Sequence, residues 1–369
     1  MLPKDFSPSD YDSLLTEKIR AISSDFEALG APSPTIISSP KDSFRMRVEF
    51  RVWHEDDHLE FVMFDRDAPK IPVPIKEFPI ASKAIQAVLA PLRSHLEKNS
   101  ELRRKLFQVE FLSTQSGEVL VTLIYHRLLD NVWEAEAHAL ADRLHISLIG
   151  RSRGQKVTLG QDWVEESLTV RTRVYRYKQP EQAFIQPNAY VNERMIEWAM
   201  DQISDPGSDL LELYCGIGNF TIPLATQFRR VLATEVSKVA TRAAVDNLLL
   251  NEVKNVEFAR LSAEEMTVAM AGTRTFRRLA SLEPSLEDYT LRTVFVDPPR
   301  AGLDLGTLEL VQGFNEILYI SCNPLTLLEN LSSLTTSHSI EALAFFDQFP
   351  YTPHLECGVH LKRHMEAAV

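Results

Sequence analysis

The first 180 residues predict a β-rich fold that follows one amino-terminal helix. Apolar residues recur at helical spacing from Tyr11 to Leu29, and Gly30 ends the pattern. From Phe44 to Trp53 nearly every second residue is apolar, which predicts a strand with its arginines on one face. Pro91 is expected to kink or break a helix over residues 84–98. Further strands are predicted over residues 58–64, 106–114, 118–126, 146–151, 156–159 and 168–177.

From about residue 190 the pattern changes to short apolar runs separated by helix-length stretches. The runs are residues 209–213, 231–234, 256–258, 293–296 and 317–321, with β-like segments at 341–346 and 354–361. This alternation predicts an α/β fold, a doubly wound, Rossmann-like sheet that binds ligands at the carboxyl ends of its strands. We therefore divide the chain near residues 178–190 into a β-rich part, residues 1–180, and an α/β part, residues 181–369.

The composition is that of a globular protein, with 44% apolar and 24% charged residues. No run of about 18 apolar residues could cross a membrane, and the amino terminus lacks the layout of a secretory signal. The three cysteines, Cys215, Cys322 and Cys357, match neither a disulfide framework nor a metal-binding pattern. We expect a reduced, cytoplasmic protein without a membrane segment, a metal ion or an iron–sulfur cluster.

The net charge of −12 is unevenly distributed along the chain. Residues 1–180 hold 25 of the 39 Lys and Arg residues and 26 of the 51 Asp and Glu residues, so the acidity lies in the second half. Phosphate contacts need basic residues only where the nucleic-acid backbone docks. The charge therefore neither excludes nor predicts a nucleic-acid partner.

A glycine turn follows the first strand of the α/β part. Gly216 and Gly218 would let a ligand approach the backbone closely, where the strand meets a helix starting near Phe220. Thr221 stands where a dinucleotide-binding fingerprint has its third glycine, so the turn is not of that type. Glu235 ends the second strand and could accept both hydroxyls of a ribose. This combination favours an adenosine cofactor over a plain tight turn with a solvated glutamate.

The segment from Asp297 to Arg300 follows the fourth strand. Two prolines separate the acid from the arginine and predict a rigid lip, because each proline fixes its φ angle. Enzymes that methylate amines often carry an aromatic residue where this chain has Arg300. Arg300 therefore disfavours amine chemistry.

Cys322 directly follows the fifth strand and precedes a helix that begins near Leu325. A thiol at the amino terminus of a helix is expected to have a lowered pKa and to be nucleophilic. Cys215 and Cys357 are instead expected to be buried apolar residues. Cys322 is therefore the candidate nucleophile.

A covalent mechanism also requires a base. Glu356 is the candidate because it lies among apolar residues, although most glutamates are simply surface residues. His354 is the alternative.

Several segments resemble the RNA uracil-5-methyltransferases. Most of the chain resembles the transfer-RNA branch of that family, whose members form ribothymidine at position 54 of the T-loop; bacterial members also modify transfer-messenger RNA (tmRNA). The ribosomal branch typically adds a β-barrel module and a four-cysteine iron–sulfur site, neither of which this sequence contains. The resemblance is carried by residues 45–51, 105–108, 211–220, 295–303, 319–324 and 346–358.

The resemblance implies an S-adenosylmethionine-dependent methyltransferase domain in residues 181–369 and an RNA-recognition domain in residues 1–180. It implies that Cys322 is the nucleophile and Glu356 the proton acceptor. Besides the two glycines, it implies cofactor contacts from Gln186, Tyr214, Asn219, Glu235 and Asp297.

The chemistry of uracil explains why such an enzyme uses a cysteine. C5 of uracil is a weak nucleophile, but addition of a thiolate to C6 creates an enolate whose C5 can attack a methyl group. A base must then remove the C5 proton so that the thiolate is expelled.

A uridine inside a folded loop must be turned outward before a thiolate can reach it. Phe107 is the candidate to fill the vacated space, although it could equally be a core residue of its strand. Arg51, His126 and Arg300 are candidates for contacts with the substrate, and solvated surface positions are the plain alternative for Arg51 and His126. We expect a monomer whose partner is the T-arm of tRNA.

Three other functions are compatible with parts of the sequence. The protein could methylate uridine in ribosomal RNA, methylate an exocyclic amine, or act as an RNA-folding module that has lost its activity. Arg300 argues against the second function, and the intact set of glycines, acids and Cys322 argues against the third.

Overall fold

The structure is a computed structural model that describes residues 5–65, 67–280 and 282–364. The α-helices are α1 Tyr11–Ala28, α2 Lys83–Lys98, α3 Ser100–Arg103, α4 Asn131–Leu144, α5 Ala189–Asp201, α6 Thr221–Leu224, α7 Lys238–Leu250, α8 Ala263–Met270, α9 Arg277–Ala280, α10 Leu305–Gln312 and α11 Pro324–Leu334. The strands of the first half are β1 Thr35–Ile37, β2 Arg47–Glu55, β3 His58–Phe64, β4 Pro72–Pro74, β5 Leu106–Ser113, β6 Val119–Tyr125, β7 Ser147–Ser152, β8 Gln155–Leu159, β9 Trp163–Val170 and β10 Arg173–Pro180. Those of the second half are β11 Asp209–Leu213, β12 Arg230–Thr234, β13 Val256–Ala259, β14 Leu291–Val296, β15 Glu316–Ser321, β16 His338–Phe346 and β17 Glu356–Arg363.

An eight-stranded sheet forms the centre of the second half, in the order β1-β16-β17-β15-β14-β11-β12-β13. The strands β15, β14, β11, β12 and β13 lie side by side in that order, and each pair of neighbours is parallel. β17 runs antiparallel to both β15 and β16. The chain leaves β11 toward β12 on one side and returns to β14 on the other, which creates the crevice where such sheets bind ligands. The predicted doubly wound α/β fold is confirmed.

A seven-stranded sheet occupies the first half, in the order β4-β3-β2-β5-β6-β7-β8. Its pairings are antiparallel except for β6 and β7, which are parallel because α4 crosses between them. The hydrophobic pattern did not predict α4. Trp133 of α4 lies so close to Gly150 of β7 that a Cβ atom there would be 2.1 Å from the indole ring, so only glycine fits.

One prediction about the first half is wrong. Residues 168–177 do not form one strand, because β9 and β10 form a hairpin that turns at Arg171, whose φ is 54°. The backbone N–H of Arg171 donates to Glu197 of α5, a contact that local sequence does not reveal. Pro91 does not break α2, which continues through this residue as one helix. Pro91 lies on the solvent-exposed face of that helix.

Both amino-terminal elements belong with the eight-stranded sheet. β1 is its outer strand and pairs with β16, and α1 packs against it, with the rings of Phe26 and Phe345 5.5 Å apart between centroids. These contacts cross the division proposed near residue 180, which stays a prediction.

Lys18 of α1 holds the segment that leads into β17. Its ammonium group donates to Asp347 Oδ1 at 2.7 Å and to the carbonyl oxygens of Phe349 and His354 at 2.8 and 3.2 Å. The side chains of Lys18 and Asp347 are almost fully buried. Burial lowers the pKa of Lys18, but Asp347 opposes this by favouring the charged form.

Among the described residues, no helix combines the length and the apolar character needed to cross a membrane.

Replacing Lys18 by Met should destabilise the protein by about 3–5 kcal/mol, because Asp347 would remain buried without its cation. Lys41→Met is the matched control, since it removes an exposed pair with Asp12 that contributes about 0–1 kcal/mol. Urea unfolding of both variants measures the difference. Equal losses in the free energy of unfolding would show that the buried ion pair contributes no more to stability than the exposed one.

Candidate active site

Strand register brings the predicted catalytic residues to one edge of the eight-stranded sheet. Ser321 pairs with Cys357, so Cys322 and Glu356 occupy the next positions of the neighbouring strands β15 and β17. In the same way Val296 pairs with Tyr319 and with Leu213, which puts Asp297 between β15 and the glycine turn. We call the ends of β12, β11, β14 and β15, together with the start of β17, the strand edge.

The glycine turn has the backbone shape that the sequence predicted. Gly216 and Gly218 have φ angles of 56° and 85°, which side chains rarely tolerate. A Cβ atom on Gly216 would meet no atom within 4 Å, so the backbone faces open space there. Glu235 accepts the backbone N–H groups of Gly216 and Ser237 at 3.1 and 2.7 Å. The helix that follows, α6, is a single turn.

Two carboxyl groups at the strand edge compete for protons. Glu356 is 1% exposed, and burial together with the charge of Asp297 raises its pKa well above the usual value. Burial raises the pKa of Asp297 to about 7, while the hydrogen bond from Gln186 lowers it. Burial therefore makes both carboxyl groups hold a proton more firmly than exposed carboxyl groups do.

The prediction of a lowered pKa for the Cys322 thiol is wrong. Cys322 is partly exposed just before α11, but burial, Glu356 and Asp297 raise its pKa to about 11. Arg300 acts in the opposite direction and lowers it. Burial of the thiol, together with the two carboxyl groups in the same poorly solvated crevice, outweighs the effect expected from the helix terminus. Cys215 and Cys357 are buried, as predicted.

The proline lip is tied to the helix that follows the nucleophile. The carbonyl oxygen of Arg300 accepts hydrogen bonds from Asn323 Nδ2 at 3.0 Å and from Thr326 Oγ1 at 3.3 Å. Asn323 also caps α11, since its side chain accepts the backbone N–H of Leu325. The lip and the residue after Cys322 are thus held as one unit.

A cavity at the strand edge brings together five of the seven residues predicted to bind a cofactor, namely Gln186, Tyr214, Gly216, Asn219 and Asp297. Glu235 joins them through its hydrogen bond to Gly216, and Gly218 belongs to the same turn. The amide of Asn219 exchanges two hydrogen bonds of 2.8 Å with Asn192 of α5. Burial raises the pKa of Tyr214 to about 12, so its hydroxyl stays neutral.

Charge indicates what this cavity can hold. Asp297, Glu356 and Glu235 lie at the edge, and Glu212 beneath the turn is 1% exposed with a pKa raised by burial to about 8. Arg300 is the cation that acts on Cys322. Clustered carboxyl groups favour a positively charged ligand. The open backbone at Gly216 leaves room for one, so an adenosine cofactor with a cationic sulfur fits these residues.

The three predicted RNA contacts of the β-rich part form one stack. The rings of Phe107 and His126 lie with centroids 4.1 Å apart, and the guanidinium carbon of Arg51 lies 4.0 Å from the Phe107 centroid. Phe107 sits at an irregularity between β5 and β6 and is only half-buried. The stack belongs to the seven-stranded sheet, whereas Arg300 belongs to the lip at the strand edge.

Some residues of the site were not predicted from the sequence. Glu212 is a charged residue inside an apolar strand, which is a signal that could have been used. Phe184 borders the cavity and is 72% exposed. A single aromatic residue in a loop does not indicate a binding site in the sequence. Gln348 is fully buried and donates to Gln186, and only the tertiary structure reveals this contact.

No group of three or more His, Cys, Asp or Glu side chains suited to a metal ion occurs within the described ranges. The expected absence of a metal stays a prediction.

Comparisons with known proteins extend over nearly the whole chain. The profile of the family described as tRNA (Uracil-5-)-methyltransferase matches residues 10–364. The chain is 50% identical over 358 residues to the tRNA/tmRNA (uracil-C(5))-methyltransferase of Pseudomonas putida (strain W619), covering 97% of this chain and 99% of that protein. It is 51% identical to the protein of the same name from Dechloromonas aromatica (strain RCB), covering 97% and 98%.

A solved structure gives the same picture of the fold. It is the tRNA (uracil-54, C5)-methyltransferase of Pyrococcus abyssi in complex with S-adenosyl-L-homocysteine, with a TM-score of 0.70 and 22% identity over 95% of this chain and 83% of that chain. The family profile and the two bacterial relatives decide the assignment, since each spans almost all of the sequence. This chain belongs to the tRNA (uracil-5-)-methyltransferase family.

Proposed function

We propose that this protein transfers a methyl group from S-adenosylmethionine to C5 of uridine 54 in the T-loop of tRNA. Cys322 forms the covalent bond to C6, and Glu356 accepts the proton that leaves C5. The observation that carries the proposal is the register of β15 and β17, in which Cys322 and Glu356 are neighbours across two paired strands. A nucleophile and a base so arranged can act on adjacent atoms of one pyrimidine ring.

Gln186, Tyr214, Gly216, Gly218, Asn219, Glu235 and Asp297 would hold the cofactor. S-adenosylmethionine supplies an electrophilic methyl group on a positively charged sulfur. The support from this chain is the acidic cavity beside the glycine turn and the open backbone at Gly216. Glu235 already accepts two backbone N–H groups, and each carboxylate oxygen keeps capacity for a ribose hydroxyl.

The protons at the strand edge must move before this chemistry can start. Cys322 must lose a proton to become a thiolate, and Glu356 must be ionised in order to accept one. Burial, and after it the neighbouring carboxyl groups, raises the pKa of both side chains. Positive charge in the crevice releases these protons, and Arg300 supplies part of it by lowering the pKa of Cys322.

We infer that the stack formed by Arg51, Phe107 and His126 contacts the T-loop after the uridine has turned outward. An aromatic face backed by a guanidinium group offers stacking to any base and a charge to phosphate. Arg300, on the lip beside Cys322, is proposed to contact the same substrate. Because the bacterial relatives are named for tRNA and tmRNA, we propose the equivalent uridine of tmRNA as a second substrate. A monomeric state and a cytoplasmic location stay predictions.

Cys322→Ala should abolish a denaturant-resistant complex between the protein and T-loop RNA that carries 5-fluorouridine at position 54. Fluorine cannot leave C5 as a proton does, so the wild-type adduct is trapped. Denaturing gel electrophoresis with labelled RNA measures it, and Cys357→Ala, at a buried cysteine nearby, is the control that keeps the adduct. An adduct that survives in Cys322→Ala would exclude this nucleophile. Absence of an adduct in the wild type would favour amine methylation.

Glu356→Gln should still form the adduct and methylate it, but should release the product about 10²–10⁴ times more slowly, because the amide cannot accept the C5 proton. Single-turnover and steady-state assays on unmodified tRNA separate the two steps. Glu341→Gln, at an exposed position of the adjacent strand β16, is the matched control. Normal turnover of the Glu356 variant would leave His354 as the base to test.

Phe107→Ala should weaken tRNA binding by about 1–3 kcal/mol, which is roughly five- to 150-fold in Kd, because a stacking face is lost. Phe276→Ala removes another phenylalanine with an arginine over its ring, outside the β-rich part, and should bind normally. Filter binding of unmodified tRNA gives both Kd values. The stack would have no part in RNA recognition if the two variants bound equally well. The Kd of the wild-type protein for ribosomal RNA, measured in the same assay and compared with that for tRNA, shows which of the two RNAs is preferred.

A further inference from the structure

A series of buried amides connects the start of α5 to the strand edge. The backbone N–H of Asn188 donates to Oε1 of Gln348 at 3.1 Å. Nε2 of Gln348 donates to Oε1 of Gln186 at 3.2 Å, and Nε2 of Gln186 donates to Oδ2 of Asp297 at 3.2 Å. Asn188 and Gln348 are fully buried, and Gln186 is 8% exposed. Gln186 and Asp297 line the cofactor cavity, and Gln348 lies behind them.

The first donor decides the direction of every bond in this series. A backbone N–H can only donate, so Gln348 must turn its oxygen toward Asn188 and its NH₂ group toward Gln186. Gln186 must then turn its own oxygen toward Gln348 and its NH₂ group toward Asp297. Reversing either amide would bring like groups face to face and leave buried donors and acceptors unsatisfied.

The anchor of the series is rigid. The backbone N–H of Gln348 donates to Phe346 at 2.9 Å, and that of the preceding Asp347 donates to Ile37 of β1 at 2.9 Å. Lys18 holds the Asp347 carboxylate from α1. A side chain on so well-fixed a backbone can orient a neighbour that touches the ligand.

We propose that Gln348 is a positioning residue that fixes the amide of Gln186, so that Gln186 donates to Asp297 and offers its second N–H to the ligand in the cavity. The identity of that ligand, S-adenosylmethionine, rests on the proposed function. Gln348 itself touches no reacting atom. By holding the Gln186 amide in this orientation, Gln348 makes Gln186 the hydrogen-bond donor in the cavity wall. Asp297 then accepts the hydrogen bond from Gln186.

Gln348→Glu tests the proposal because its effect depends on pH. When protonated, the introduced carboxyl group can accept from Asn188 and donate to Gln186, as the amide does. When ionised it can only accept, so Gln186 must turn its NH₂ group away from Asp297. The charged groups around this position are Asp347, paired with Lys18, and Asp297, reached through Gln186. Glu356, which pairs with Phe346, and Arg45, which bridges to Asn188, lie on the neighbouring segments. The buried setting raises the pKa of the introduced group toward neutrality.

The measurement is the Kd for S-adenosylhomocysteine, obtained by calorimetry without RNA between pH 6 and pH 9 and expressed as a ratio to the wild type at each pH. The ratio for Gln348→Glu should stay near one at pH 6 and rise about tenfold or more by pH 9. Gln348→Met, which keeps the length but has no hydrogen-bonding amide, should lose affinity already at pH 6, where the Glu variant still binds like the wild type. Thermal unfolding confirms that each variant is folded.

The outcomes separate this inference from the proposed function. Wild-type protein that fails to bind S-adenosylhomocysteine would count against the proposed cofactor itself. Normal wild-type binding with a flat ratio for Gln348→Glu would overturn the positioning role alone. Should the Glu variant fail to fold, Gln348→Met still decides, since wild-type affinity in that variant contradicts the proposal.

Discussion

The pairing of β17 between β15 and β16 is the constraint on which the candidate site depends. Because β17 runs antiparallel to β15, its first residue lies beside the position that follows the last residue of β15. Glu356 and Cys322 thereby meet although 33 residues of chain separate them. A shift of the register by one residue would move Glu356 to the other face of the sheet, since successive side chains alternate. The α1 helix, through Lys18, holds the segment that enters β17.

The strand edge concentrates acids where water is scarce, and this controls when its groups can react. Burial and the carboxyl groups of Asp297 and Glu356 raise the pKa of Cys322, and burial and Asp297 raise that of Glu356. Both groups therefore hold their protons more firmly than exposed side chains of the same type. Such a site is complementary to positive charge, which connects the proposed cofactor to the activation of both groups. Part of the excess of acidic residues in the second half of the chain therefore lies at the candidate site.

The two sheets divide the proposed tasks. The eight-stranded sheet supplies the cavity, the nucleophile and the base, and the seven-stranded sheet supplies the stack of Arg51, Phe107 and His126. Arg47 of β2 connects the seven-stranded sheet to the loop between β10 and α5, because its guanidinium group donates to the carbonyl oxygens of Glu181 and Ala183. The same stretch of chain carries Gln186. Contacts of this kind fix the loop that borders the cavity.

Local periodicity was sufficient for the strands of the α/β part, for the glycine turn and for the position of Cys322 directly after a strand, because buried strands and tight turns depend on neighbouring residues. It failed at Arg171, where the chain turns and a distant side chain binds the backbone. Resemblance to the family added Gln186, Tyr214 and Asn219, which no spacing rule selects. The raised pKa of Cys322, the Lys18 contacts and the role inferred for Gln348 required the tertiary structure. Each depends on groups far apart in the sequence that share one poorly solvated crevice, and electrostatic and hydrogen-bond energies depend on distance in space.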